Sequence, residues 1–452
     1  MTRFRPGAVA AAIALSAGLG GCSHFRNAPL AEKPDLAASL AALKIEPAQA
    51  PLPELASHRF DPAHPLDMDE VATVAVVANP DLKAARTALG VARAQAFDAG
   101  LLPNPSFSFS YGKLLAGAGM ADAVSTGLAE NILPLLTLSA RRRAAAARER
   151  GVRLNLLWQE WQVVAQARSL FVQAVELARQ RAVLEQTRRL FAERYRRSRA
   201  AMRQGNLTLT VVVSDLAALQ GVEAQLHAAD EQILKVGHDL DALLGLLPGT
   251  RLELRQKLAA PPLDAARLRA MLPTLLPRRP DLLALKAGYA AQQAKLRQAV
   301  IEQFPPLAIG GTWAKDTTPV YTLGPNLTIG LPIFNHGQGK VAIARATRRQ
   351  LRAQYRARLD AALGAAGRLL AEEQLAEAQY RADHRSLARL RQAASVADAA
   401  YQAGNLDERG YVDLHSSLLA KELEAIKLEE RMLELRTSLQ TLIGSALPMR
   451  GR

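Results

Sequence analysis

The pattern of apolar and polar positions divides the chain into two long helical blocks, residues 135–247 and 333–447, each preceded by a short region of a different period. In the second block Tyr411, Leu414, Leu418, Ala425, Leu428, Met432, Leu435, Leu439 and Leu442 recur at alternating spacings of three and four, interrupted by Lys421. That is the seam of a helix packed along a neighbour. In the first block two stripes run side by side: Leu154, Leu157, Trp161, Val164, Phe171 and Val175, and Leu156, Val163, Ala167, Leu170, Ala174 and Leu177. A helix with two seams is predicted to have a partner on each side. Proline costs a helix interior about 3 kcal/mol, and neither block contains one, although the chain has 24. Each block has a single weak point, Gly205-Asn206 in the first and Gly404-Asn405 in the second. Both residue types accept the left-handed conformation that ends a helix. Each block therefore reads as a hairpin whose longer arm, of about 70 residues, reaches roughly 105 Å at 1.5 Å per residue.

Ahead of each block the period changes to two. Residues 106–111 alternate serine with Phe107, Phe109 and Tyr111. Farther on, Tyr321, Leu323, Leu327, Ile329 and Leu331 alternate with Thr322, Gly324, Asn326, Thr328 and Gly330, while Leu307, Ile309 and Trp313 mark the strand before them. A fourth candidate, around residues 124–133, alternates poorly and carries Glu130. Apolar on one face and small or polar on the other, these segments match membrane-spanning strands. Four strands cannot close a barrel, and an open edge is not viable in lipid, so closure is expected from other subunits.

The same landmarks occur twice, close to 200 positions apart: Asn79-Pro80-Asp81-Leu82 and Arg279-Pro280-Asp281-Leu282, Pro105 and Pro306, Pro134 and Pro332, the two glycine turns, and Leu247-Pro248 and Leu447-Pro448. The chain reads as an internal duplication. Its predicted parts are a leader at 1–21 and an extended strap at 22–65. A first repeat follows at 66–250 (strands about 104–133, hairpin 135–247), then a linker at 251–262 around Pro261-Pro262. The second repeat is 263–452 (strands about 306–331, hairpin 333–447).

The balance of charge is basic, net +15. Clusters such as Arg141-Arg142-Arg143 lack an aromatic platform or a nucleic-acid motif, so solvated helix faces account for them and no nucleic-acid partner is expected. At the N-terminus Arg3 and Arg5 precede an apolar run from residue 8 to 19 and then Leu19-Gly20-Gly21-Cys22. This end resembles a bacterial lipobox, in which Cys22, the only cysteine, becomes a lipid-modified first residue. Ser23 after it implies sorting to the outer membrane.

Taken together, the lipobox, the two Pro-Asp-Leu motifs, Leu331-Pro332-Ile333-Phe334 with Gly337 and Gly339, and the turns at Gly205 and Gly404 resemble the TolC-like outer-membrane efflux proteins, in particular their lipid-anchored branch. The resemblance covers the whole mature chain. It implies a mainly α fold with a small β part, in which three copies form a helical tunnel below a twelve-stranded transmembrane β-barrel. It further implies a passive exit duct in a tripartite efflux system, docked to a periplasmic adaptor and an inner-membrane pump. Carboxylates at the second hairpin tip are implied to ring the tunnel entrance. Asp413 falls at one such place and Gly410 occupies the other. Asp407 is a further entrance candidate that also sits where the returning helix needs an N-cap, and Asp215 is the candidate of the first copy.

No catalytic site is expected. The stretch from His336 to Lys340 is superficially like a phosphate loop, but Phe334 and Val341 stand where that motif requires glycine and a hydroxyl residue. The eight histidines are scattered, so neither a metal nor any cofactor beyond the lipid on Cys22 is expected. The competing reading, a periplasmic coiled-coil adaptor or structural lipoprotein without a pore, leaves the row of apolar strand residues without a purpose.

Overall fold

The computed structural model describes residues 25–43, 45, 55, 61–117, 121–256, 258, 263–318 and 320–444. Cys22, the leader, Pro261-Pro262 and Leu447-Pro448 lie outside the described residues. Contacts divide the chain into Met1–Leu36, whose described part has neither helix nor strand, and Ala37–Arg452.

Within the larger unit the elements follow the duplicated order. They are α1 (Met68–Ala78), α2 (Pro80–Asp98), β1 (Ser106–Gly112), β2 (Ala123–Asn131), α3 (Ile132–Arg203) and α4 (Leu209–Leu244), then α5 (Ala265–Leu275), α6 (Pro280–Ile301), β3 (Leu307–Lys315), β4 (Tyr321–Ile329), α7 (Gln338–Gln402) and α8 (Glu408–Ile443). The starts of both hairpins differ from the sequence expectation. Helix α3 starts three residues early because the Asn131 side chain accepts the Leu133 N–H, and Pro134 in the first turn forfeits no helical bond. Helix α7 starts late, after Gly337 at φ +73°.

Helix entry is governed by local capping. Asp67 accepts from the Asp69 and Glu70 amides while Glu70 accepts from the Asp67 amide, a reciprocal box opening α1. Asn79 accepts the Leu82 N–H and places Pro80 at the first position of α2. Its amide also donates to the Leu243 carbonyl at 3.0 Å. The end of α4 is thereby tied to the start of α2, so these two shorter helices stand end to end beside the long α3.

The strands form one antiparallel sheet in the order β1-β2-β3-β4. The helices below are packed in the matching order α2-α3-α6-α7, and farther down as α4-α3-α8-α7. Each strand thus stands above one helix of a single curved wall. Pairing of Phe107 with Leu128, Thr126 with Trp313, Trp313 with Leu323 and Ile309 with Leu327 puts the aromatic and aliphatic residues on one face. The opposite face carries Ser106, Ser108, Ser110, Ser125, Asn131, Thr312, Thr322, Asn326 and Thr328, together with glycine and alanine. None of its side chains ionises. The poorly alternating second strand is genuine, and its register explains the irregularity, since Thr126 and Glu130 share the apolar face.

A second layer covers one side of the helical wall. Val71, Val74 and Ala75 of α1, with Leu55 and Leu66 of the strap, bury Val164, Ala167, Phe171 and Val175 of α3 and Leu240 and Leu244 of α4. The two stripes predicted on α3 therefore merge into one cluster. In the second copy α5 covers Ala362, Ala366 and Leu370 of α7 and Leu439 and Ile443 of α8. Isolated backbone pairing joins Ala37 to Leu246 and Leu66 to Leu254.

The sheet tolerates side chains unequally. A Cβ on Gly310 would lie 2.2 Å from the Leu128 carbonyl oxygen, whereas one on Gly324 meets nothing within 4 Å. Gly310→Ala is expected to abolish most heat-resistant, membrane-integrated protein. Gly324→Ala should leave its yield unchanged, as read by heat-modifiable mobility in gels.

Candidate functional site at the hairpin tips

Both hairpins turn by the same chemistry. In the first the Asn206 amide donates to Ala201 and the Gly205 amide to Met202, with Gly205 at φ +79°. In the second Asn405 donates to Ala400 and Gly404 to Tyr401, with Gly404 at φ +73°. This is a Schellman motif in each copy, satisfying carbonyls that the helix end leaves open. The glycine turns predicted at both tips are where the chain reverses.

The three candidate carboxylates occupy different environments. Asp407 is the N-cap of α8, accepting the Gly410 amide at 3.1 Å. Asp413, six residues farther on, is exposed, its side chain at 60%, and accepts from Arg194 Nη1 at 2.9 Å. Asp215 corrects the sequence expectation. Its side chain is 1% exposed, with Arg194 Nε 2.7 Å from Oδ1 and the Ser198 hydroxyl on Oδ2. A carboxylate already buried within one chain cannot line a tunnel, so Asp215 is an internal ion-pair partner.

Arg194 is the residue that sequence reasoning missed. Mostly buried on α3, it bridges Asp215 of the first hairpin and Asp413 of the second. The partial neutralisation of Asp413 therefore comes from across the helix interface. One turn toward the tip Arg197 donates to the Tyr401 hydroxyl at 2.9 Å and lies 3.3 Å from Glu408. Tyr401 stacks on Tyr411 at 4.6 Å, Tyr411 contacts the His415 ring, and His415 Nε2 is 3.0 Å from Asp398. Arg194 and Arg197 thus clasp the two hairpins together near their tips, while the aromatic contacts join the two arms of the second.

Above the clasp the α3–α8 interface stays polar. Gln173 donates to Glu434, Gln180 donates to Glu430 at 2.9 Å, and Arg179 Nη1 donates to both Glu176 and Glu429. Ser169, Gln173, Glu176 and Gln180 recur at four, three and four. That spacing is a third stripe on α3, legible only if polar residues are counted as seam residues. Glu176 is fully buried. Burial pushes its carboxyl up to about 7, with Glu429 and Glu430 adding to the shift and Arg179 opposing it. Lys421, which interrupts the seam of α8, reaches α7 and lies 2.6 Å from Asp383. Deeper still, Arg436 and Glu373 form a buried pair at 2.7 Å.

Among the described residues no group of histidine, cysteine, aspartate and glutamate is arranged to hold a metal, and no helix is long and apolar enough to cross a membrane. What the geometry provides is a wall with an apolar upper rim and a clasped lower end. Residues 271–445 match the family model for outer membrane efflux proteins, which spans α6, β3, β4, α7 and α8 in the order just described. The match covers the second copy, whose order of elements the first copy repeats. Similar proteins include the pyoverdine export outer membrane protein OpmQ of Pseudomonas aeruginosa, 29% identical over 254 residues, 53% of this chain and 52% of that protein. The chain thus aligns with about half the length of that relative. OpmQ of Pseudomonas putida is 24% identical over 408 residues, 84% of this chain and 86% of that protein. The outer membrane protein VceC of Vibrio cholerae has the same fold, with a TM-score of 0.67 at 17% identity over 84% of this chain and 96% of that one.

Two stability outcomes follow from the clasp. Arg194→Met leaves Asp215 buried without a counter-ion and is expected to cost about 3–5 kcal/mol. Asp413→Asn, on the exposed side of the same bridge, should cost under about 1 kcal/mol. Urea titration of the solubilised protein distinguishes them. Glu176 supplies a pH dependence of known sign. Its folded pKa is raised above the unfolded value, so ionisation opposes folding; the penalty is complete above about pH 7 and disappears as pH falls toward 4.5. Glu176→Gln should therefore raise the melting temperature at pH 8 and change it little at pH 5.

Proposed function

We propose that three copies of this chain close a twelve-stranded barrel and a twelve-helix tunnel, a passive duct through which solutes leave the cell across the outer membrane. The observation that carries this reading is the four-stranded sheet with an apolar face, a hydroxyl-lined face and two open edges, continued by a helical wall in the same lateral order. Unpaired strand edges in lipid cost several kcal/mol per group, and pairing β4 of one copy with β1 of the next removes them. The apolar face then meets lipid and the serine and threonine face the water-filled lumen. The layer of α1 and α5 lies outside, where it leaves the bore free.

The tripartite assembly follows from the same reading. An inner-membrane pump delivers cargo through a periplasmic adaptor to the tip end of the tunnel, and a lipid on Cys22 assists targeting while the barrel holds the protein in the membrane. The clasp around Arg194 keeps the two hairpins of each copy together, and Asp413, three copies of it around the axis, contributes negative charge at the entrance.

Detergent-solubilised protein should have the mass of three chains and conduct ions in planar bilayers; a monodisperse monomer that conducts would defeat closure by trimerisation. Cys22→Ser should lower lipidation and yield while the remaining folded protein resists extraction by carbonate. In single-channel recordings Asp413→Asn should shift the reversal potential toward anions. An unchanged value would remove Asp413 from the entrance.

A further inference from the structure

The excess positive charge is confined to one half of the helical wall. In the half next to the sheet, α2, α6, α3 as far as Trp158 and α7 as far as Leu359 carry nineteen lysines and arginines against four carboxylates, Asp81, Asp98, Glu149 and Asp281. In the remaining half, the rest of α3 and α7 with α4 and α8, twenty-one cations meet twenty-three carboxylates. Packing does not require this division. The half nearer the tips is held by matched ion pairs, whereas the half nearer the membrane keeps cations that have none.

The two faces of the wall can be told apart by the second layer. On α3, Val164, Ala167 and Phe171 lie under α1. Gln159, Gln162 and Gln166 lie on the opposite side, lining a groove with Asn79 and Asp239. Traced toward the membrane at helical spacing, the uncovered side of α3 passes through Arg148, Ala145 and Arg141. These three residues line a groove of about 210 Å³ between α2, α3 and α6, with Ala92 and Ala144 in its floor and Lys295 of α6 opposite. Arg141 is engaged, donating to the Ala99 and Leu101 carbonyls. Arg148 and Lys295 are both exposed and have no ion-pair partner among the described residues. The α7 arginines behave differently. Arg345, Arg349, Arg352 and Arg356 run at four, three and four directly into Leu359, Ala366 and Leu370, the strip covered by α5. They lie on the covered side of the wall.

We infer that Arg148 and Lys295 form an anion-binding station on the lumen side just below the barrel, present in three copies around the duct, that favours cargo bearing carboxylate, phosphate or sulfate groups. This rests on the channel reading, which makes the uncovered side the lumen. A cation pair over an alanine floor supplies charge without a competing acceptor, and the hydroxyl-lined, uncharged barrel above offers no second site to hold the anion back. Passage requires attraction strong enough to enter and weak enough to leave, which exposed cations in water provide.

The test uses the full-length protein in planar bilayers under a potassium chloride gradient, with inorganic pyrophosphate added as a blocking anion. The double variant Arg148→Gln, Lys295→Gln should shift the reversal potential toward cations and weaken pyrophosphate block roughly tenfold, the effect of losing about 1 kcal/mol or slightly more of attraction. Arg148→Lys, which retains the charge, should keep most of the block. The outer-face variant Arg349→Gln, Arg352→Gln removes the same charge and should leave both quantities unchanged. Equal effects from the two double variants, or a channel in which neither differs from wild type, would overturn the station while leaving the duct intact. A wild-type protein that forms no channel would overturn the duct, and the station with it.

Discussion

An unpaired strand edge cannot be left in hydrocarbon, and most of this architecture answers that constraint. Four strands bury no core of their own; their apolar face is exposed in the single chain, with Leu323 at 81% and Phe107 at 65%. In the proposed duct lipid covers that face and another copy covers each edge. In the proposed duct, closing the sheet into a ring brings the attached helices into a ring as well, because the lateral order of α2, α3, α6 and α7 repeats that of β1 to β4. The helices cannot choose a compact bundle without breaking the sheet. In that ring each long helix has a neighbour on both sides.

That arrangement changes what holds the helices together. A wall one helix thick has no deep interior, so the interfaces use what a thin wall allows: a few covered apolar strips under α1 and α5, and elsewhere ion pairs and amides spanning the seams. Buried pairs of this kind contribute little net stability, yet they penalise any shift in register, because a slipped helix would strand Glu176, Asp215 or Glu373 away from its cation. Register fidelity over helices of 72 and 65 residues is the property that a long tunnel most needs.

The sequence disclosed the large features for a physical reason: proline exclusion, helix-stop glycines and period-two alternation are local signals, and duplication shows each of them twice. The hairpins, the four strands and the Schellman turns at Gly205 and Gly404 were all legible in this way. The capping role of Asp407 was legible as well, since it depends on residues three positions away. Asp215 was not. Its partners Arg194 and Ser198 lie across a hairpin, and one aspartate among hydrophobic and small residues is indistinguishable by spacing from a pore-facing one. The α3–α8 interface escaped for a related reason: a seam of Ser169, Gln173, Glu176 and Gln180 has the right period but the wrong residue class for a search based on hydrophobicity.

The two copies began as equivalents and have diverged in what they present to the tip. In the first, the carboxylate below the turn is withdrawn beneath Arg194 and serves the interface. In the second, Asp413 meets the same guanidinium from the solvent side and remains exposed. One arginine thus separates a structural acid from an accessible one. Its two contacts are also coupled, because loss of the buried contact frees the guanidinium to follow Asp413, whereas loss of the exposed contact leaves the buried pair in place. The bond most easily broken is therefore the one between hairpins. Parting the hairpins at Asp413 leaves the buried Arg194–Asp215 pair intact.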